Sequence, residues 1–337
     1  MHNWDEVISH INEQFADSRT QLCQLTTAES PDGTVWLSGV VLDEETKTAV
    51  LSQLHQQFPQ TTFNTKSLRV LRQSPSLWLT VQTSITGLYA EPSFLAEQVS
   101  QVLLGWQLEL LREEGKWAFV RLAEGYLGWV YRPYLGNDAP SEPTHLVTEP
   151  VALLRTAPAT DASLAGRILA GTAVAISEQH QTWAALTLPG GLSGWISAAS
   201  LRPLTHLPTT ENGRRQQLIA DASQFIGVPY LWGGCSALGI DCSGYSQLLH
   251  RLVGCQIPRD ADMQFAAGQP VEPPFRAGDL LFFGREGDHR AISHVGVSLG
   301  GWRMIHASRA RNGVFVDDVS AVNWLMAMFV GGRTFLG

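Results

Sequence analysis

Asp241-Cys242-Ser243-Gly244-Tyr245 decides how the C-terminal part of this chain folds. The approach, Pro229-Tyr230-Leu231-Trp232-Gly233-Gly234-Cys235, is broken by adjacent glycines, and the exit, Tyr245 to Val253, carries leucines at 248, 249 and 252. That recurrence is helical, so Cys242 is expected in the first turn of a helix. The partial positive charge of a helix N-terminus lowers a thiol pKa from its free value of about 8.5. On this reading Cys242 is a primed nucleophile. A cysteine taken alone is as readily a small buried hydrophobe, so the residues downstream carry the decision.

Two short apolar runs follow, each holding a histidine: Ile292-Ser293-His294-Val295-Gly296-Val297-Ser298 and Arg303-Met304-Ile305-His306-Ala307-Ser308. A nucleophile on a helix, a base on a strand and an orienting group on the next strand is the papain-type order of parts. The other histidines, His250 and His289 among them, read as surface or satisfied core residues. In this order Cys242 attacks an amide carbonyl, His294 takes and returns the proton, and His306 bonds the second ring nitrogen of His294 and holds its tautomer. The oxyanion is expected at backbone N–H groups of the helix start, that of Cys242 first.

The residues DCSGY, then IPRDA (257–261), AGDLLFF (277–283), SHVGV and IHAS, five blocks in order from about residue 214 to the C-terminus, resemble the NlpC family of bacterial cell-wall cysteine peptidases. A histidine in the third catalytic position is a variant that family accepts. In domain order and motifs the chain is similar to the γ-D-glutamyl-L-diamino acid endopeptidases. That likeness implies that Asp241 holds the free ammonium of an L-Ala-γ-D-Glu-diamino acid peptide, with Ser243 nearby and Asp260 adding to the site. Asp262 stands where some relatives carry a serine. Arg259 reads as structural, and Asp241 also suits a helix N-cap. Trp232 is grouped with the substrate-binding residues.

Ahead of this region an internal repeat sets the architecture. Pro92 and Pro158, Gly105 and Gly171, Trp117 and Trp183, Leu122 and Leu188, Gly128 and Gly194, Trp129 and Trp195, and Leu135 and Leu201 are each separated by 66 residues. Each unit reads as short strands broken by turn residues, which argues a small β-barrel, and the pair resembles tandem bacterial SH3 domains. The paired tryptophans read as core packing. Tyr126 has no aromatic partner in the second unit, where Leu192 stands. In relatives with this layout the first barrel lends a tyrosine and a glutamate to the cleft, which implies Tyr126 and either Glu97 or Glu91. Trp106 and Cys235 depart from the family pattern.

Residues 1–75 mix an opening helix (Trp4, Val7, Ile8, Ile11, Phe15), a strand over Thr34–Val41, a helix from Glu44 to about Phe58 and a strand near Leu68–Leu71, with no legible chemistry. The expected fold is therefore α+β and multidomain. A small N-terminal α+β domain (1–75) precedes two SH3-like barrels (77–140 and 145–205) and a papain-like catalytic domain (212–337).

Composition agrees with globular domains: 337 residues, 44% hydrophobic and 16% charged. A net charge of -8 argues against nucleic acid or an anionic membrane as the main partner. The four cysteines form no disulfide framework and no zinc-ligand doublet, and a Cys235–Cys242 bridge would disable the nucleophile. No metal or cofactor is required by these residues. The first residues lack a signal-peptide pattern, and no apolar run approaches a membrane span, so a cytoplasmic location without membrane insertion is expected unless a leader has been removed. The expected activity is hydrolysis of the γ-D-Glu to diamino acid amide in short, free-amine murein peptides, as in cell-wall recycling. The alternatives are a catalytically silent peptidoglycan-binding protein and a muramyl amidase on the same fold.

Overall fold

A computed structural model describes residues 3–284 and 292–337; His289 lies outside the described residues. The chain forms two compact units, Met1–Leu79 with Leu108–Arg132, and Thr80–Gln107 with Pro133–Gly337.

In the first unit the helix Trp4–Gln14 and the helix Glu44–Gln57 accompany a three-stranded sheet. Cys23–Glu29, which the sequence reading missed, pairs antiparallel with Val35–Val41, and Val35–Val41 pairs parallel with Phe63–Val70. Parallel neighbours need a crossover, and the helix Glu44–Gln57 supplies it. Asp43 starts that helix by accepting from Thr46 N at 2.9 Å. Ile8, Ile11, Leu25, Leu37, Val50 and Leu54 make the core. The same unit holds the antiparallel strands Gln107–Glu114, Trp117–Arg121 and Leu127–Tyr131.

The repeat is structural as well as sequential. Ile85–Tyr89 and Gln98–Leu103 have counterparts 66 residues on in Val151–Arg155 and Leu164–Leu169, as Trp117–Arg121 and Leu127–Tyr131 have in Trp183–Thr187 and Ser193–Ser197. Gly105 (φ +78°) and Gly171 (φ +88°) occupy the same turn in a left-handed conformation that only glycine adopts cheaply, which explains their match.

From residue 211 onward the second unit carries a helix–sheet layer. Thr210 caps the helix Glu211–Ala222 through Gly213 N at 3.2 Å. The sheet has six strands in the order Gln269–Val271, Phe329–Thr334, Leu280–Gly284, Ile292–Gly300, Arg303–Ser308, Gly313–Asp318, every pairing antiparallel. The helix Cys242–Leu252 is almost entirely buried, and its core includes Tyr245, Leu248, Leu249, Phe282, Val295, Val297 and Ile305. Burying one aliphatic or aromatic side chain is worth about 1.5–3 kcal/mol, so this contact holds the helix start against the histidine strand. The outcome is the α+β architecture with SH3-like domains that the sequence implied. Among the described residues no helix is long and apolar enough to cross a membrane.

Candidate active site

Cys242 is the first residue of its helix, as the leucine spacing required. Asp241 is the N-cap and accepts from Gly244 N at 2.7 Å. It does more than cap. Gly233 N donates to its Oδ2 at 2.8 Å, and Arg259 forks onto both oxygens, Nη1 to Oδ1 at 3.1 Å and Nη2 to Oδ2 at 2.7 Å. Ser243 Oγ adds a contact to Oδ1 at 3.3 Å and accepts from Arg259 Nη1 at 2.9 Å. A carboxylate has about four acceptor sites, so these donors saturate it. The expectation that Asp241 is there to receive a substrate ammonium is corrected on this point: its first partner is the buried Arg259, whose side chain is 1% exposed.

The expectation of a primed thiolate is also corrected. Burial pushes the Cys242 thiol up to about 12, the charge of Asp241 adds to the rise, and the Val295 N–H, Arg259 and the Ser243 N–H oppose it. The helix end is in place, but a carboxylate sits on it and water is largely excluded. Burial and the neighbouring His306 push His294 down to about 3. Both shifts favour a neutral thiol beside a neutral imidazole in the free protein.

His294 lies on the strand Ile292–Gly300, opposite Phe283, and the residue after it, Val295, presents its N–H to the Cys242 sulfur. Among the described residues no hydrogen bond joins the sulfur to the His294 ring. His294 Nε2 is instead 2.6 Å from His306 Nδ1, with the rings edge-on at 4.9 Å. Gly296 makes this possible, because a Cβ there would stand 3.0 Å from His306 Cβ and collide with Met304. That is the physical content of the glycine in SHVGV. His306 Nε2 in turn meets Asp317 Oδ2 at 2.9 Å, and Asp317 Oδ1 accepts from Arg311 Nη1 at 2.5 Å.

Asp317 and Arg311 were missed by sequence reasoning. The only available signal was register: His306 faces Phe315 across the Gly313–Asp318 strand, and Asp317 lies two residues on, on the same face.

The remaining sequence candidates fall as follows. Trp232 is 56% exposed, and its indole N–H donates to Glu97 Oε1 at 2.7 Å, which brings two of the predicted residues together. Gln98 Nε2 donates to the Trp232 carbonyl at 3.1 Å. Glu91 is exposed in the loop before Glu97. Asp260 is the N-cap residue of the helix Ala261–Ala267 without a side-chain cap bond. Tyr126 is 3% exposed, between the strands Trp117–Arg121 and Leu127–Tyr131, and it belongs to the first unit.

The two departures from the family pattern both bear on the Cys242 region. Trp106 lies under Arg251 of the Cys242 helix, with the guanidinium carbon 4.0 Å from the ring centroid. Cys235 N donates to Gln101 Oε1 at 3.0 Å, and Cys235 Sγ donates to the Gln101 carbonyl at 3.4 Å. Together with the bond from Arg259 Nε to Ser100 Oγ at 2.9 Å, they tie the strand Gln98–Leu103 to the approach of Cys242. All four cysteines are free thiols.

Comparison with known proteins agrees with this layout. Residues 227–333 match the NlpC/P60 family, residues 88–132 a bacterial dipeptidyl-peptidase SH3 domain and residues 151–202 a bacterial SH3 domain. The chain is 28% identical to a γ-D-glutamyl-L-lysine dipeptidyl-peptidase of Bacillus cereus, over 70% of this chain and 75% of that one. It is 30% identical to the protein of the same name from Bacillus subtilis, over 62% and 72%. It is also 30% identical to dipeptidyl-peptidase 6 of Lysinibacillus sphaericus, over 70% and 89%. A crystal structure of an NlpC/P60 family protein from Bacillus cereus superposes with a TM-score of 0.67 at 23% identity, covering 77% of this chain and all of that one, which speaks for the fold. A helix-borne cysteine, strand-borne histidines and relatives 30% identical over 72% and 89% of their length lead to one conclusion: the chain belongs to the NlpC/P60 family and is a cysteine peptidase.

Proposed function

We propose that this peptidase hydrolyses the γ-D-glutamyl to L-diamino acid amide of short murein peptides with a free N-terminus, of the type L-Ala-γ-D-Glu-diamino acid, in the recycling of cell-wall peptides within the cytoplasm. Cys242 is the nucleophile and His294 the general base. His306 orients the base. The observation that carries this reading is the contact of His294 Nε2 with His306 Nδ1, which engages one ring nitrogen and leaves Nδ1 for the thiol.

Because burial favours the neutral pair, the thiol proton passes to His294 Nδ1 as sulfur bonds to the carbonyl carbon, rather than beforehand. The oxyanion falls to the N–H of Cys242, which has no acceptor among the described residues and points from a helix start. The imidazolium then protonates the leaving amine, and water resolves the thioester by the reverse use of the same base.

The names of the two Bacillus relatives support the γ-D-glutamyl specificity. The free amine is assigned to Glu97, an exposed carboxylate held by Trp232 through one oxygen. Asp241 contributes at longer range, with Ser243 and Asp260 nearby in sequence.

The test is incubation with L-Ala-γ-D-Glu-L-Lys, L-Ala-γ-D-Glu-meso-diaminopimelate and their N-acetylated forms. L-Ala-D-Glu and the diamino acid are the expected products from the free amines. Release from the acetylated peptides at an equal rate overturns the free-amine assignment, and full activity of Cys242→Ala overturns the mechanism.

A further inference from the structure

The peptidase reading assigns nothing to Asp317 and Arg311, yet they terminate the chain of contacts that begins at His294. Asp317 Oδ2 stands 2.9 Å from His306 Nε2, while Oδ1 accepts from the Arg311 guanidinium; a carboxylate paired with a guanidinium accepts, so the hydrogen is on His306 Nε2. Burial holds His306 below its ordinary pKa of 6.5, against the pull of Asp317, so the ring is neutral and carries that single N–H. Its Nδ1 is therefore a lone pair. His294 Nε2, 2.6 Å away, must be the donor of that bond. His294 Nδ1 is then unprotonated, the state a base for a thiol needs. If the proton on His306 were moved to Nδ1, each assignment would invert, and His294 would meet the thiol with an N–H.

Arg311 holds the carboxylate in place. It donates to Asp317 Oδ1, and its guanidinium carbon sits 4.2 Å from the centroid of Phe315. Arginine only donates, so whichever atom of residue 317 faces it must be an acceptor.

We propose that Asp317 and Arg311 are positioning residues which, through His306, select the tautomer of His294. This rests on the reading of Cys242 and His294 given above. It makes an asymmetric forecast. In Asp317→Asn the amide oxygen turns to Arg311 and the NH₂ turns to His306, which forces the wrong proton order along the pair. In Asp317→Ala nothing dictates the order, so alanine is the milder change.

The experiment uses the full-length protein, with kcat and KM for L-Ala-γ-D-Glu-L-Lys and ¹⁵N shifts of the imidazole nitrogens. In the wild type His294 is expected as the Nε2–H and His306 as the Nε2–H tautomer. This measurement needs no variant, so it stands even where a substitution disrupts folding. Removal of the outer hydrogen-bond partner of a metal-ligating histidine costs about 10- to 100-fold, and the same scale is taken for this pair. Asp317→Asn is expected at the upper end of that range in kcat with KM unchanged, and Asp317→Ala at the lower end. Adding Arg311→Ala to Asp317→Asn is expected to restore activity towards the alanine level by freeing the amide to turn. A wild-type His294 protonated on Nδ1, an Asn variant as active as wild type, or an Ala variant worse than Asn overturns the proposal. Activity surviving in Cys242→Ala would instead indict the underlying site.

Discussion

Asp241 with Arg259 and Asp317 with Arg311 are both carboxylate–guanidinium contacts close to the proposed chemistry, but one closes on itself and the other ends in a proton-bearing chain. Asp241 and Arg259 are 8% and 1% exposed, and every acceptor site of the carboxylate is filled by groups of the protein. Asp317 and Arg311 are 18% and 47% exposed, and one carboxylate oxygen is spent on a histidine. The same two functional groups therefore do different work. Where water is excluded, the pair locks the Cys242 helix to its surroundings. Where it is half wet, the carboxylate is left to set a hydrogen-bond direction.

The largest effect that can break this comparison is on the closed pair. Arg259→Met leaves Asp241 buried with an uncompensated charge, and stranding one partner of a buried pair costs about 3–5 kcal/mol. Urea unfolding should show that loss, and adding Asp241→Asn should recover part of it. Equal stability of Arg259→Met and wild type would remove the distinction between the two pairs.

The next effect concerns acid. Burial, with Arg215 helping and the Ser246 carbonyl opposing, lowers His250 from 6.5 to about 4. The unfolded chain therefore takes up this proton below about pH 6.5, while the folded one resists until about pH 4. Stability present above 6.5 is lost across that window as pH falls. At about 1.4 kcal/mol per unit the loss is about 3 kcal/mol. His250→Leu should flatten this limb of a plot of midpoint against pH relative to wild type, which isolates the contribution from that of His294.

A smaller effect tests the neutral thiol. With the thiol at about 12, the rate of iodoacetamide alkylation of Cys242 should climb about tenfold per pH unit from 7 to 10 without a plateau. A plateau near pH 7 would mean a resting thiolate–imidazolium pair. Smallest is the rim. Trp232→Phe removes the hydrogen bond to Glu97, worth about 0.5–1.5 kcal/mol, and should raise KM for the free-amine peptide several-fold with kcat retained.

Much of the site was legible because its parts are local. The leucines at 248, 249 and 252 placed Cys242 at a helix start, and the apolar runs around His294 and His306 placed both on strands, where they are found. The register that sets His306 beside His294 was not legible, nor was the diagonal neighbour Asp317, because cross-strand partners follow from pairing and not from spacing along one strand. The strands Cys23–Glu29 and Phe329–Thr334 were missed for a related reason: the alternation in the first lasts only from Cys23 to Thr26 and the second is interrupted by two glycines, so sheet partners supply the structure.

What the sequence determined by itself is the list of parts and their elements: the nucleophile at a helix tip, two histidines on strands, and two barrels in a 66-residue repeat. Periodicity, capping residues and repeats are properties of neighbouring residues, so they survive without a fold. The tertiary structure decided the sign of the Cys242 pKa shift, the saturation of Asp241 by Arg259, the bonds from Ser100 and Gln101 of a distant strand, and the order of protons from Asp317 to His294. Each of these depends on how much water is removed and on which remote donor replaces it, and only packing sets those two quantities.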